Sequence, residues 1–140
     1  MAVTAEQRRR IREQAGDCCE YCRIAGDDRY VSFEIDHIVA LKHGGSDDDD
    51  NLCLACGPCN RAKGADVAMI DPLSGVATRF FNPRQQIWDE HFQVNPDASL
   101  SGRSPEGRVT ALVLRMNEEE RVEQRHGEMQ LGNYPCPKNP

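Results

Sequence analysis

Cys19-Glu20-Tyr21-Cys22 and Cys56-Gly57-Pro58-Cys59-Asn60-Arg61-Ala62-Lys63-Gly64 bracket the stretch that decides how this chain folds. Between them lie Ile35-Asp36-His37-Ile38, a Gly44-Gly45 turn and Asn51-Leu52. Two Cys-x-x-Cys pairs can close one tetrahedral metal site, and a structural Zn²⁺ takes four thiolates with no position left open. The spacing alone admits more than one ligand set. Cys18 competes with Cys19, and Cys53-x-x-Cys56 overlaps Cys56-x-x-Cys59. The set Cys19, Cys22, Cys56 and Cys59 gives two matched spacings and leaves Cys53 to pack as a small apolar residue.

Working outward, the composition fits such a staple. With 140 residues the chain suits one domain, 39% hydrophobic content with a mean hydropathy of −0.66 speaks against a large core, and thin cores need a disulfide or a metal. An apolar run long enough to cross a membrane is absent, and Met1 to Glu6 lacks the apolar stretch of a signal peptide. A cytoplasmic setting is therefore expected, where paired cysteines bind metal more often than they form disulfides. Seven cysteines leave three over once four hold a metal. A rival to zinc is an iron–sulfur cluster, because Cys53-x-x-Cys56-x-x-Cys59 resembles part of a ferredoxin-like run. The net charge of −6 sits badly with non-specific nucleic-acid binding, which depends on Lys and Arg neutralising phosphates. A zinc tetrathiolate, carrying about −2, does not correct that balance.

The flanking segments read as follows. Thr4 and Gln7 have the form of a capping box, predicting a helix from Ala5 to Gln14 that ends at Gly16. Arg8, Arg9, Arg10 and Arg12 on it make either a solvated face or an arm for nucleic-acid phosphates. Residues 31–35 alternate like a strand, residues 36–41 continue extended, and Lys42 to Ser46 turn the chain. Asp47 to Asp50 reads as a solvated loop, since the glycine and glutamate of a calcium loop are missing. Pro58 suits the first turn of a helix. Beyond Ala65, a strand at residues 77–81, a short helix from Asn82-Pro83 and a hairpin of residues 92–94 with 99–101 are expected. A helix capped by Ser104-Pro105 presents Val109, Leu112, Val113 and Met116, and Asn117 with Glu120 resembles a further cap. The expected organisation is one domain, 1–140, with a stapled core at 18–66, an extension at 67–132 and a frayed tail at 133–140.

The order Cys-x-x-Cys, Asp-His-Ile, Gly-Gly, Asn-Leu, Cys-x-x-Cys-Asn-x-x-Lys resembles the HNH nuclease family. Phe81-Asn82-Pro83-Arg84, Trp88-x-x-His91-Phe92 and Gly107-Arg108 also look like an extension seen in small bacterial HNH proteins. The resemblance implies an α+β fold: a small, treble-clef-like ββα-metal core stapled by zinc, with an N-terminal helix and a C-terminal α/β extension. It implies that His37 is the general base, that Asn51 holds the loop and orients that histidine, and that Asp36 and Asn60 bind a catalytic divalent cation. His43, Arg61 and Lys63 are candidate phosphate contacts. His91 and His126 read as structural or exposed, and Arg84 and Trp88 as core and salt bridge or as substrate surface.

These residue types suit phosphodiester hydrolysis. A neutral imidazole titrates near physiological pH and can take a proton from the attacking water. A cation on oxygen ligands can stabilise the leaving oxygen. Asn60 replaces the common histidine and makes the site harder, so Mg²⁺ or Mn²⁺ is expected over Zn²⁺ or Ni²⁺. Ala40 stands where many relatives have proline. The expected function is a metal-dependent DNA endonuclease, with DNA as partner and, given the acidic chain, a further protein that supplies DNA affinity. The alternative is a non-catalytic zinc module that binds nucleic acid or protein.

Overall fold

The computed structural model describes residues 2–26 and 33–137. Val31 and Ser32 of the expected first strand, and the end of the tail at 138–140, lie outside the described residues. Among the described residues the fold is α+β, with helices α1 (Ala5–Ala15), α2 (Gly57–Lys63), α3 (Trp88–His91), α4 (Pro105–Val113) and α5 (Glu119–Gln130). Three two-stranded antiparallel sheets join them: β1 (Glu34–His37) with β2 (Leu52–Ala55), β3 (Ala68–Ile70) with β4 (Ala77–Arg79), and β5 (Phe92–Val94) with β6 (Leu100–Gly102).

Helix α1 begins in a complete capping box. Thr4 Oγ1 accepts from the Gln7 amide at 3.1 Å, and the Gln7 side chain accepts from the Thr4 amide at 3.0 Å. It ends at Gly16, whose φ of 63° supplies the left-handed cap. Its inward residues Ile11 and Ala15 pack into one apolar cluster with β2, Phe81, Trp88, Val109 and Leu114, so the core runs from the cysteine-bearing segment into the C-terminal elements.

β1 and β2 pair with Asp36 opposite Cys53 and His37 opposite Leu52. The extended run expected through residue 41 stops at His37. Beyond it the Asn51 side chain grips Val39, and residues 41–43 close into a single 3₁₀ turn. Gly44 sits at φ 93°, and a Cβ on Gly45 would run into the Val39 carbonyl, so the Gly44-Gly45 pair is what lets the loop fold back on Asn51.

Other expectations shift locally. The strand expected at 77–81 ends at Arg79, and Phe80 and Phe81 turn into the core. Its partner β3 has no clear mark in the sequence: three residues with only Met69 facing inward carry too weak an alternation. Asn82 caps a turn, with its Oδ1 accepting from the Arg84 amide at 2.8 Å, and the helix waits until Trp88. Ser104 caps α4 as expected, accepting from the Gly107 amide at 3.0 Å. That helix stops at Val113, which leaves Leu112 exposed and carries Leu114 and Met116 inward beyond its end. Asn117 is not a cap. Its amide exchanges two hydrogen bonds of 2.8 Å with the backbone of Leu100, acting like a piece of added strand.

The tail also departs from a frayed end. Cys18 and Cys136, two of the surplus cysteines, form a disulfide rather than staying reduced, and Tyr134 is buried with its hydroxyl donating to the Cys22 carbonyl at 2.6 Å. The strap therefore lies directly over the first cysteine pair. A Cβ on Gly107 would strike the His91 carbonyl, which explains a glycine in the first turn of α4.

Candidate metal centre and active site

The first cysteine pair lies on a turn after α1, closed by Cys19 N–H to the Ile24 carbonyl and Arg23 N–H to the Cys19 carbonyl, both 2.9 Å. The second pair brackets the start of α2, with Cys56 as its N-cap and Pro58 in the first turn. Together Cys19, Cys22, Cys56 and Cys59 are buried and bring their sulfurs within 4.8 Å of one another. Cys22 and Cys56 Sγ stand 3.7 Å apart, close to the roughly 3.8 Å edge of a tetrahedron with zinc–sulfur bonds of about 2.3 Å. The geometry fits four-thiolate zinc coordination.

It also resolves the alternatives left open by spacing. Cys18 is in the disulfide. Cys53 points to the opposite side, 3.9 Å from Asp36 Oδ2, where burial and the neighbouring carboxylate push its thiol well up. The three-cysteine run 53–56–59 therefore does not converge on a cluster, which removes the basis for the iron–sulfur reading.

Four buried thiolates on one dication would leave net negative charge inside the protein, and no local pattern in the chain marks the group that balances it. That group is Arg121. Its Nη2 donates to Cys59 Sγ at 2.9 Å and lies 3.8 Å from Cys56 Sγ, while Nη1 donates to the Leu114 and Arg115 carbonyls. The two residues between the first cysteines are also structural connectors. Glu20 accepts from the Leu54 amide at 2.8 Å and binds Arg84 through two bonds of 2.7 and 2.8 Å. Arg84 is thus a buried salt-bridge partner, and Trp88 is core, donating Nε1–H to the Tyr21 carbonyl at 2.8 Å.

Tyr21 leads to the Asp-His pair. Its hydroxyl donates to Asp36 Oδ2 at 2.7 Å, and Lys63 Nζ meets the same oxygen at 3.1 Å. Lys63 Nζ also donates to the His37 carbonyl at 3.0 Å. This corrects the expectation that Lys63 contacts phosphate: it is 1% exposed and turned inward. Burial pushes the Asp36 carboxyl above its ordinary value, while Lys63 and Tyr21 pull it back down. The two bonds converge on Oδ2, and Asp36 Oδ1 has no hydrogen-bond partner among the described residues.

His37 ends β1 with its side chain 26% exposed and its Nε2 2.8 Å from Asp47 Oδ1. Asn51 accepts from the Val39 amide at 2.9 Å and donates to the Val39 and Ser46 carbonyls at 2.9 and 2.7 Å. Its backbone carbonyl accepts from the Ile38 amide at 2.8 Å, so one residue fixes the chain on the far side of His37. Asn60 lies on α2 and its side chain makes no hydrogen bond among the described residues. His43 and Arg61 are exposed, neither being drawn into the core. His91 is structural, with Nδ1 2.6 Å from Ser104 Oγ.

The acidic run is not simply solvated. Besides Asp47 on His37, Asp49 takes two bonds from Arg10, at 3.0 and 3.1 Å, and one from Gln7 at 3.1 Å. Arg10 is thereby paired to the loop while staying exposed, and Arg12 donates to the Phe33 carbonyl at 2.8 Å, leaving Arg8 and Arg9 as exposed arginines of α1 without such a tie. Tyr21, Asp47 and Arg121 are contacts of these candidate residues that the sequence does not point to as such. Only Tyr21 carried a signal, as a large polar-tipped residue inside a tight Cys-x-x-Cys turn.

The elements around the cysteines thus define an α+β module closed by four cysteines positioned for a metal ion, with an Asp-His pair on its hairpin. Residues 19–66 match the family model of the HNH endonucleases, a segment that contains all four cysteines and the Asp-His pair. At the level of the family, that match supports nuclease activity on nucleic acid. No curated protein and no solved structure matches the chain. Among the described residues no helix is long and apolar enough to cross a membrane.

Proposed function

We propose that this protein is a metal-dependent endonuclease that hydrolyses DNA phosphodiester bonds, with His37 as general base and one divalent cation held by Asp36 and Asn60. The observation that carries this reading is the state of the polar atoms inside the matched segment. Asp36 Oδ2 is tied down by Tyr21 and Lys63, and His37 Nε2 by Asp47, so each side chain offers one remaining atom from a fixed orientation. Asp36 Oδ1 and the Asn60 amide oxygen, both without partners among the described residues, are a donor set suited to a hard oxygen-seeking ion.

His37 Nδ1 takes the proton of the attacking water, which needs a neutral imidazole with its lone pair outward. Asn51 keeps the loop behind His37 closed, so the base is presented from a rigid backbone. A cation bound by Asp36 and Asn60 would supply charge stabilisation at the phosphate and at the leaving oxygen. Lys63 holds Asp36 in place and touches no substrate, which leaves Arg61 and His43 as the phosphate contacts of this reading. A partner protein supplying DNA affinity suits the net charge of −6.

The test is plasmid cleavage by zinc-loaded protein in Mg²⁺ or Mn²⁺, beside His37→Ala. The expected result is cleavage by the native chain and a loss of about 10²- to 10⁴-fold in the variant, the usual contribution of a positioned base. Equal cleavage by both would remove His37 from the chemistry, and activity with Zn²⁺ alone matching that with Mg²⁺ would contradict the oxygen-ligand site. Reproducible absence of cleavage by native protein, with DNA binding retained, would support the non-catalytic zinc module.

A further inference from the structure

An imidazole carries its proton on one of two nitrogens, and the partner of one nitrogen decides the role of the other. His37 Nε2 lies 2.8 Å from Asp47 Oδ1. An ionised carboxylate only accepts, so Nε2 must carry the hydrogen and Nδ1 the lone pair. Nδ1 has no hydrogen-bond partner among the described residues, and the pair is reachable from solvent, with side chains 26% and 24% exposed.

Asp47 is itself held from several sides. Gln7 Nε2 donates to the Asp47 carbonyl at 2.8 Å, while Gln7 Oε1 is engaged by the Thr4 amide at 3.0 Å, so both ends of that side-chain amide have assigned partners. One residue later in the loop, Asp48 accepts from the Asn51 amide at 2.9 Å. Asn51 Nδ2 donates to the Ser46 carbonyl just before Asp47, and Arg10 and Gln7 bind Asp49 just after it. The N-terminal helix therefore braces the acidic turn that carries Asp47, and the capping residue Gln7 belongs to both.

We propose that Asp47 is a positioning residue for His37: its carboxylate selects the Nε2–H tautomer and leaves Nδ1 as the base nitrogen, with α1 holding the backbone that carries this carboxylate through Gln7. The proposal rests on the nuclease reading for its effect on rate, but not for its effect on the imidazole. It also assigns the polar side of α1 an internal task, since Gln7 and Arg10 face the loop.

The experiment uses the full-length, zinc-loaded chain and two readouts. The first is ring-nitrogen NMR of His37 in native protein, Asp47→Ala and Gln7→Ala. Native protein should show the Nε2–H tautomer, Asp47→Ala should admit the Nδ1–H form, and Gln7→Ala should shift the ratio in the same direction by less. The second is steady-state plasmid cleavage, where Asp47→Ala should lower kcat by about 10- to 100-fold with KM little changed, the usual cost of losing an outer partner of a functional histidine. If Asp47→Ala loses its zinc, Asp47→Asn replaces it, and the same tautomer change is expected because the amide no longer enforces acceptance. A native tautomer ratio and native kcat in the folded variant would overturn the proposal. Should native protein not cleave DNA at all, the nuclease reading fails, while the tautomer measurement still decides whether Asp47 sets the imidazole.

Discussion

The four-cysteine staple and the loop from Ile38 to Asn51 lie in the same segment, yet they are held by different physics. The staple is dry: its sulfurs are buried, its charge is balanced by an arginine from α5, and a disulfide strap covers its first pair. The loop is partly open to water and is held by hydrogen bonds: those of the Asn51 side chain with Val39 and Ser46, those from Gln7 to Asp47 and Asp49, those from Arg10 to Asp49, and the one between His37 and Asp47. The staple should therefore set global stability, while the loop should set the geometry of the histidine and contribute little to the rest of the fold. The protein can be divided experimentally along that line.

The largest effect should come from the staple. In a small zinc domain the metal's binding energy is folding energy, with apparent values of about 10–16 kcal/mol in zinc-finger peptides. Chelation, or Cys59→Ser, should unfold the residues around β1, β2 and α2 together, seen as loss of far-UV dichroism and of bound metal. A Cys59→Ser protein that stays folded without metal would show that the apolar cluster, not the staple, carries the fold.

Arg121→Met comes next. It removes the guanidinium from Cys59 and from the Leu114 and Arg115 carbonyls while leaving the thiolates buried. Breaking a buried charge pair by deleting one partner costs about 3–5 kcal/mol. Urea unfolding at fixed zinc concentration should show that loss, together with weaker zinc retention. A loss under about 1 kcal/mol would mean that zinc alone balances the sulfurs and that Arg121 is held there by its carbonyl contacts.

The same division explains which features could be read from the chain. Local signals survived: the Thr4–Gln7 capping box, the Ser104 cap, the hairpin of Phe92–Val94 with Leu100–Gly102, and the matched cysteine spacings. What escaped depends on partners far away in sequence. Arg121 sits in a helix whose charged composition reads as solvated, and only its approach to Cys59 reveals its task. Asp47 is one of four consecutive aspartates, indistinguishable from its neighbours until His37 is placed beside it. Lys63 shares a helix with the exposed Arg61, and its burial follows from packing against Asp36 across the hairpin. Asn117 resembled a cap because caps and strand-like pairing use the same amide.

The smallest stability effect, and the one that tests the division most closely, is expected at Asn51. Asn51→Ala deletes one acceptor and two donor contacts, leaving the Val39 amide and the Val39 and Ser46 carbonyls to find water. Because the loop is partly solvated, those groups are not stranded, and the loss should stay near the net value of ordinary hydrogen bonds, about 0.5–1.5 kcal/mol for each. Asn51→Asp is the sharper variant: its carboxylate can still accept from Val39 but can donate to neither carbonyl, and it places negative charge against both. Both variants should keep zinc and keep protected amides in β2 and α2, while the Val39 amide exchanges faster and cleavage falls. Global unfolding of Asn51→Ala would show that the loop carries the fold as much as the staple does. Native exchange at Val39 would show that Gly45 and the β1–β2 register close the loop without the side chain, leaving His37 positioned chiefly by Asp47.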